Sequence, residues 1–394
     1  MNNINSNNYK RKLLNVSFDD NNGKKLQSGK IRIGNKSMFN LCSNDYLGLS
    51  KRKELIKNSN IWANKFGTGL SSSRMISGNL DLISEIENLM SVLKFKESSV
   101  IMGSGFQCNL TVIPAITNNS LGNRNKIRIF SDKLNHSSIH HGCLLARQKT
   151  YRYRHLDYCH LESLLKKNLN SKKIIISESI FSMDGDIADI STLRFLAKKY
   201  KAILYLDEAH ATGVFGVDGF GLSTIKNTEA NENEVVIGTF SKAFGSYGSY
   251  VCCSNKMKQK IIDSCSGLIY STVLPPPVLG SIEKALQLIP KMKIERKLLL
   301  DNSTYLRKKL KAKNFNVINS SSHIIPVVFS DTSKCVKLSK MLQDKGFYIH
   351  PVRHPTVPIG QSRLRISLTS FLKKQTLEKF FNILKFLDET YEKN

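Results

Sequence analysis

From Phe39 onward, short apolar runs alternate with longer amphipathic stretches. SSVIM (98–102), KIRIF (126–130), KKIIIS (172–177), AILYL (202–206), EVVIGT (234–239) and SYVCC (249–253) have the length and the β-branched content of buried strands. Between them, LISEIENLMSVL (82–93), HLESLLKKNL (160–169), ISTLRFLAKKY (190–200) and KMKQKIIDSC (256–265) carry apolar residues at i, i+3 and i+4, the spacing of one helix face. Strands alternating with helices predict an α/β fold in which a mostly parallel sheet is covered by helices.

The pattern changes after the Pro275–Pro277 triplet. Two long helical stretches, 278–289 and 295–312, precede IIPVVFS (324–330), a helix at 335–346, YIHPV (348–352), RLRISLT (363–369) and a last helix to about Tyr391. These elements do not continue the earlier alternation. The division expected is an N-terminal arm over 1–45, a large domain over 46–280 and a smaller C-terminal α+β domain over 281–394. The arm, rich in Asn and Lys with little apolar periodicity, reads as loosely held or as a short edge hairpin. No internal repeat of 20–50 residues is visible.

The 394 residues include 59 Lys+Arg against 31 Asp+Glu, a formal charge of +28. Such a charge first suggests nucleic acid, yet the basic residues are spread through helices and termini rather than grouped with aromatics. The eight cysteines are scattered without a C-x-x-C pair, which argues against a disulfide framework or a thiolate zinc site. The first residues, MNNINSNNYKRK, have no apolar h-region, and no run approaches a membrane span. A cytoplasmic protein with no membrane contact and no specific nucleic-acid partner is expected.

Candidate chemistry gathers where strands end. AILYLDEAHATG closes a buried run with Asp207, Glu208 and His210, at the edge where open α/β sheets form ligand crevices. DEAH also occurs in nucleic-acid helicases, but the phosphate loop G-x-x-x-x-G-K-[ST] which that chemistry requires is absent. In GTFSKAFGSYGSY (238–250), Lys242 follows a strand among small residues that leave room for a bulky group on its amine. An enzyme using pyridoxal phosphate needs a lysine to hold the cofactor's aldehyde and a carboxylate to keep the pyridine nitrogen protonated. Lys242 and Asp207 supply both. GSGFQCN (103–109) could bring backbone N–H groups and a helix start near Gln107 to a phosphate. His136 lies just beyond another strand, and with His140 and Cys143 it lacks the further ligands that a metal site would need.

Phosphate turn, histidine, acid and lysine, in that order, resemble the α-oxoamine synthases, pyridoxal-phosphate enzymes of fold type I. The matching segments include SNDYLGLS (43–50), SGFQCN (104–109), LNHSSI (134–139), ESIFSMDGDIA (178–188), LDEAHATGVFG (206–216), GTFSKAFG (238–245), LIYSTVLPP (268–276) and PTVPIGQSRLRISLT (355–369), colinear over about residues 40 to 370. The resemblance implies a large domain with a seven-stranded sheet. It also implies that Lys242 holds the cofactor and moves the substrate proton, that Asp207 pairs with the pyridine nitrogen and that His136 stacks on the ring. His210 and Ser182 would lie beside the phenolic oxygen. Gly105, Phe106 and Thr239 would bind the phosphate, which Thr272 would reach from a neighbouring subunit of a homodimer. Arg365 would clamp the amino-acid carboxylate, with Thr356 as a further substrate contact.

The family condenses an amino acid with an acyl thioester and releases CO2. VRHPTVPIGQSRLRISLTS, LIYSTVLPP and SNDYLGL are most similar to the branch that joins L-alanine to a pimeloyl thioester, carried by CoA or an acyl carrier protein, on the route to biotin. Glycine with acetyl-CoA or succinyl-CoA is the alternative, and a silent partner subunit would not need Lys242. Ile83, Phe220 and Ser249 depart from residues frequent in the family, and Lys10 or Arg11 is the candidate contact for the acyl group. Part of the +28 charge suits polyanionic thioester carriers.

Overall fold

The computed structural model describes residues 13–19, 23–24, 29–117, 127–225 and 233–393. Lys10 and Arg11 lie outside these. The chain divides into two compact units, one of residues 1–44, 183–185 and 297–394, the other of 45–182 and 186–296.

The first unit opens with a hairpin, β1 (Lys30–Ile33) and β2 (Lys36–Asn40), paired antiparallel. In the second unit follow β3 (Ser98–Met102), β4 (Ile127–Asp132), β5 (Thr150–Tyr153), β6 (Lys172–Glu178), β7 (Ala202–Asp207), β8 (Glu234–Thr239) and β9 (Ser249–Cys253). They form one seven-stranded sheet in the order β3-β9-β8-β7-β6-β4-β5. β8, β7, β6, β4 and β5 are parallel, and β9 runs antiparallel to both β3 and β8. β3 therefore points the same way as β8, and the carboxyl ends of β3, β4, β6, β7 and β8 share one edge.

The central strands carry apolar runs because both of their faces are covered. Ile174 and Ile176 of β6 pack with Tyr205 of β7 and with Val112 and Ile116 of the helix Gly105–Thr117. Ile175, Leu204 and Leu206 point the other way, into a core with Leu161, Leu193 and Leu196 from the helices Tyr158–Lys166 and Ile190–Lys199. Alternation at period two thus feeds two cores from one strand.

The boundary expected at 280/281 falls at 296/297 instead. The helix Pro276–Leu288 belongs to the sheet-bearing unit because it packs closely on the helix Lys53–Phe66. A Cβ on Gly280 would come within 2.5 Å of the Trp62 ring, Asn58 Nδ2 donates to Gly280 O at 2.7 Å, and Trp62 Nε1 donates to Glu283 at 3.0 Å.

The remainder of the first unit comprises β10 (Ile324–Phe329), β11 (Phe347–Tyr348), β12 (Pro351–Val352) and β13 (Ser362–Ser367), with most of the helix Lys293–Lys311 and the helices Thr332–Asp344 and Lys374–Lys393. β13 pairs antiparallel with β10 and β12, while β11 adds in parallel to β2. The residues expected as a separate arm are thus held by this unit, through β11 and through Ser367 N–H donating to Leu41 O at 2.8 Å. YIHPV, read as one strand, is two short ones. No helix among the described residues is long and apolar enough to cross a membrane.

Candidate active site

The shared carboxyl edge of the second unit carries Gly105 after β3, His136 after β4, Ser182 after β6, Asp207 and His210 at the end of β7, and Lys242 after β8. Lys242 sits on a tight turn in which Gly245 N–H donates to Lys242 O at 2.9 Å. The turn has little freedom. Gly245, at φ +62°, lies against residues 49–50, where a Cβ would come within 2.2 Å of Ser50 N, and a Cβ on Gly213 would meet that of Ala243 at 2.3 Å. Lys242 Nζ is 2.9 Å from His210 Nε2, and His210 Nδ1 is 2.6 Å from the hydroxyl of the fully buried Tyr46.

Asp207 is buried and held by neutral donors. Its carboxylate accepts Asn109 Nδ2 at 2.8 Å and the Ala209 N–H at 2.9 Å. Asn109 is oriented in turn, because Tyr205 Oη donates to its oxygen at 2.8 Å and its amide also donates to Ser138 Oγ at 3.0 Å. Ser138 Oγ lies 2.7 Å from His136 Nδ1. A chain of side chains therefore links the acid of β7 to the histidine after β4. No positive partner neutralises Asp207 in these contacts, so its charge is available to a cationic group.

His136 presents an exposed ring. Its pKa lies below the usual imidazole range, through partial desolvation by the protein around it and through the Lys242 charge, opposed by Asp207. The neutral ring is the form suited to stacking. Glu178, paired with Asp207 across β6 and β7, is buried, and its carboxylate accepts the His136 N–H at 2.5 Å. Burial and the neighbouring Asp207 charge raise its pKa well above the carboxylate range, against the pull of Lys242.

Gly105 opens the helix Gly105–Thr117, earlier than the start expected near Gln107. Its first N–H groups have no acceptor within the helix, which makes this end receptive to an anion. A Cβ on Gly105 would lie 3.6 Å from Thr239 Cβ, so the turn after β3 and the end of β8 are adjacent. The Thr239 hydroxyl donates to Gly248 O at 2.8 Å and lies 2.7 Å from Ser241 Oγ. Phe106 is exposed, with its ring 6.0 Å from that of His141. Thr272 is exposed, in a bridge with Ser73, and lines a small cavity with Gly103, Arg74 and Ile83. Ser182 is half-buried.

Arg365 and Thr356 belong to the first unit. Arg365, half-buried on β13, donates to Ser367 Oγ at 2.6 Å and approaches Asn44 Oδ1 at 3.5 Å. Its neighbour Arg363 is buried and tied to Asp184 and to Met183 O. Thr356 is exposed on a turn in which its N–H donates to Arg353 O at 3.0 Å.

Tyr46, Asn109, Ser138 and Glu178 were not singled out in the sequence, although each lies inside a segment that was. No local signal marks them, since their partners come from distant parts of the chain. The donor set suits pyridoxal phosphate: an amine on a rigid turn, a buried acid without a cationic partner, a neutral ring, and a helix start beside a hydroxyl.

The family model for aminotransferase class I and II matches residues 36–384. A protein from Paramagnetospirillum magneticum, provisionally named 8-amino-7-oxononanoate synthase, is 41% identical over 356 residues, which cover 90% of this chain and 89% of that one. Among solved structures, a serine palmitoyltransferase of Sphingomonas wittichii aligns with a TM-score of 0.87 at 25% identity, covering 95% of this chain and 92% of the other. The 8-amino-7-oxononanoate synthase of Francisella tularensis aligns with a TM-score of 0.74 at 25% identity, covering 91% and 99%. The sheet, the donor set and these likenesses agree: the chain belongs to the class I and II aminotransferase family, within its α-oxoamine synthase branch of pyridoxal-phosphate-dependent acyltransferases.

Proposed function

We propose that the chain condenses L-alanine with a pimeloyl thioester, on CoA or an acyl carrier protein, to give 8-amino-7-oxononanoate, CO2 and free thiol. The observation that supports this reading is the 41% identity over nine-tenths of the chain to a protein bearing that name; the serine palmitoyltransferase and 8-amino-7-oxononanoate synthase structures are both 25% identical and do not separate the two reactions. The higher TM-score of the serine palmitoyltransferase favours a serine-using reading, but backbone similarity at that identity reports the shared fold.

Bound pyridoxal phosphate would supply the electron sink that makes the amino-acid Cα acidic and its carboxylate removable. Lys242 Nζ would hold the cofactor's aldehyde and would serve as the base that takes and returns the Cα proton. Asp207, oriented by Asn109, keeps the pyridine nitrogen protonated. His136 covers one ring face, and its neutrality avoids placing a second cation there. His210 and Ser182 would hydrogen-bond the phenolic oxygen. Gly105 and Phe106 would give N–H groups to the phosphate and Thr239 its hydroxyl, on turning from Gly248 O, with Thr272 acting across a homodimer. Arg365 pairs with the amino-acid carboxylate, a task suited to a planar bidentate donor, and Thr356 contacts substrate.

The test is a matrix of alanine, glycine and serine against acetyl, succinyl, pimeloyl and palmitoyl thioesters, following thiol and CO2 release. Turnover should be greatest for alanine with pimeloyl. A maximum with glycine or serine would overturn the assignment.

A further inference from the structure

Tyr46 has no role in the reading above, yet it is the fully buried end of a line that leads to the reactive amine: Tyr46 Oη to His210 Nδ1 at 2.6 Å, then His210 Nε2 to Lys242 Nζ at 2.9 Å. Its place is fixed by backbone packing. Residues 49–50 lie directly against Gly245 of the Lys242 turn, and Asp45 ties the segment by accepting the Ser50 hydroxyl at 2.7 Å. Tyr46 and Lys242 are therefore mounted on two backbone stretches in contact, with the imidazole between them.

We propose that Tyr46 is a positioning residue for Lys242, acting through His210 as a hydroxyl that accepts in one state and donates in the other, so that the imidazole can change which nitrogen carries its proton. An ammonium at Lys242 can only donate, so His210 Nε2 must then accept and the single ring proton sits on Nδ1, donating to Tyr46 Oη. Once the amine has reacted, Nε2 serves the phenolic oxygen only as a donor, and Nδ1 must become an acceptor. A tyrosine hydroxyl, being both donor and acceptor, satisfies Nδ1 in either state; a buried apolar ring would satisfy neither. The proton leaving Nδ1 and the one arriving at Nε2 exchange with water, so the ring stays neutral. The second state rests on the proposed cofactor reading, while the first does not.

The test uses full-length protein labelled with 15N-histidine, whose ring nitrogen shifts report the protonated position. In cofactor-free wild type, His210 should carry its proton on Nδ1, and with pyridoxal phosphate added, on Nε2. Tyr46→Phe should abolish this reversal and raise the cofactor dissociation constant about three- to tenfold, the effect of one lost hydrogen bond, with an unchanged circular dichroism spectrum. The same protonated nitrogen with and without cofactor in wild type would overturn the proposal, as would Tyr46→Phe that reverses normally and binds with wild-type affinity. The wild-type comparison decides alone should Tyr46→Phe fail to fold. Failure of the wild type to take up cofactor would count against the proposed function. The cofactor-free spectrum would still judge Tyr46, since a proton on Nε2 there refutes its accepting role.

Discussion

Two lysines of the sheet-bearing unit, Lys94 and Lys242, show how one side chain is made structural or reactive. Lys94 is wholly buried, ion-paired with Glu208, and donates to Phe220 O at 2.7 Å and Ser223 Oγ at 3.2 Å. Glu208 also accepts the Ser223 N–H at 2.8 Å, so the pair closes the loop that follows β7. Lys242 is only partly buried and faces an imidazole, which can accept from an ammonium or donate to an amine. Glu208, buried beside Lys94, favours the ammonium as its ion-pair partner, whereas an imidazole leaves the amine free to change state. Glu208 and His210 stand two positions apart in the same DEAH segment and impose these opposite fates.

The comparison breaks most visibly at Lys242. Lys242→Ala should remove the cofactor's lysine-bound absorption band and lower kcat by about 10^3-fold or more, with the melting temperature of the cofactor-free protein little changed. A retained band would displace Lys242 from its role. Lys94→Met should do the reverse, costing about 3–5 kcal/mol of stability by leaving Glu208 buried and uncompensated. Urea unfolding would read the loss, and adding Glu208→Gln should restore part of it. No recovery would mean that Lys94 acts through packing alone.

Asn109→Ala tests the neutral donors that leave Asp207 its charge. Cofactor affinity should fall by roughly 10-fold or more as Asp207 and the Tyr205 hydroxyl lose their partner, and an unchanged affinity would remove Asn109 from the argument.

A titratable counterpart of Lys94 gives the smallest effect. His155 bridges Asp132 at 2.9 Å and Asp186 at 2.7 Å. Burial opposes its charge, but these two carboxylates outweigh it and raise the pKa from 6.5 to about 10. A raised folded-state pKa means stability fully present below about pH 6.5 and lost as the pH rises toward about 10. The slope should not exceed about 1.4 kcal/mol per pH unit. His155→Gln should flatten this part of the urea-midpoint profile; an unaltered slope would assign it to other groups.

What could be read from the sequence follows the same division between local and distant causes. β3, β6, β7, β8 and β9 announce themselves because both faces are covered, leaving uninterrupted apolar runs. β5, TYRY, gives no such signal: it is an edge strand with an exposed arginine, paired only to β4. β1 and β2 form the short hairpin that was one of the two readings of the arm, but their attachment could not be read, because β11, which pairs with β2, comes some 300 residues later. Lys242, Asp207, His136 and His210 stand out by residue type at strand ends. Asn109, Ser138, Glu178 and Tyr46 acquire meaning only from neighbours that the folded chain brings to them.

The contact of Gly245 with residues 49–50 also bears on how such a site could be rebuilt. A minimal catalyst made by transplanting the Lys242 turn into another parallel sheet would inherit the glycine's positive φ but not the stretch of backbone that braces it. The unit of transfer is therefore two segments almost 200 residues apart, and a designer who moves only the reactive lysine moves the reagent without its mounting.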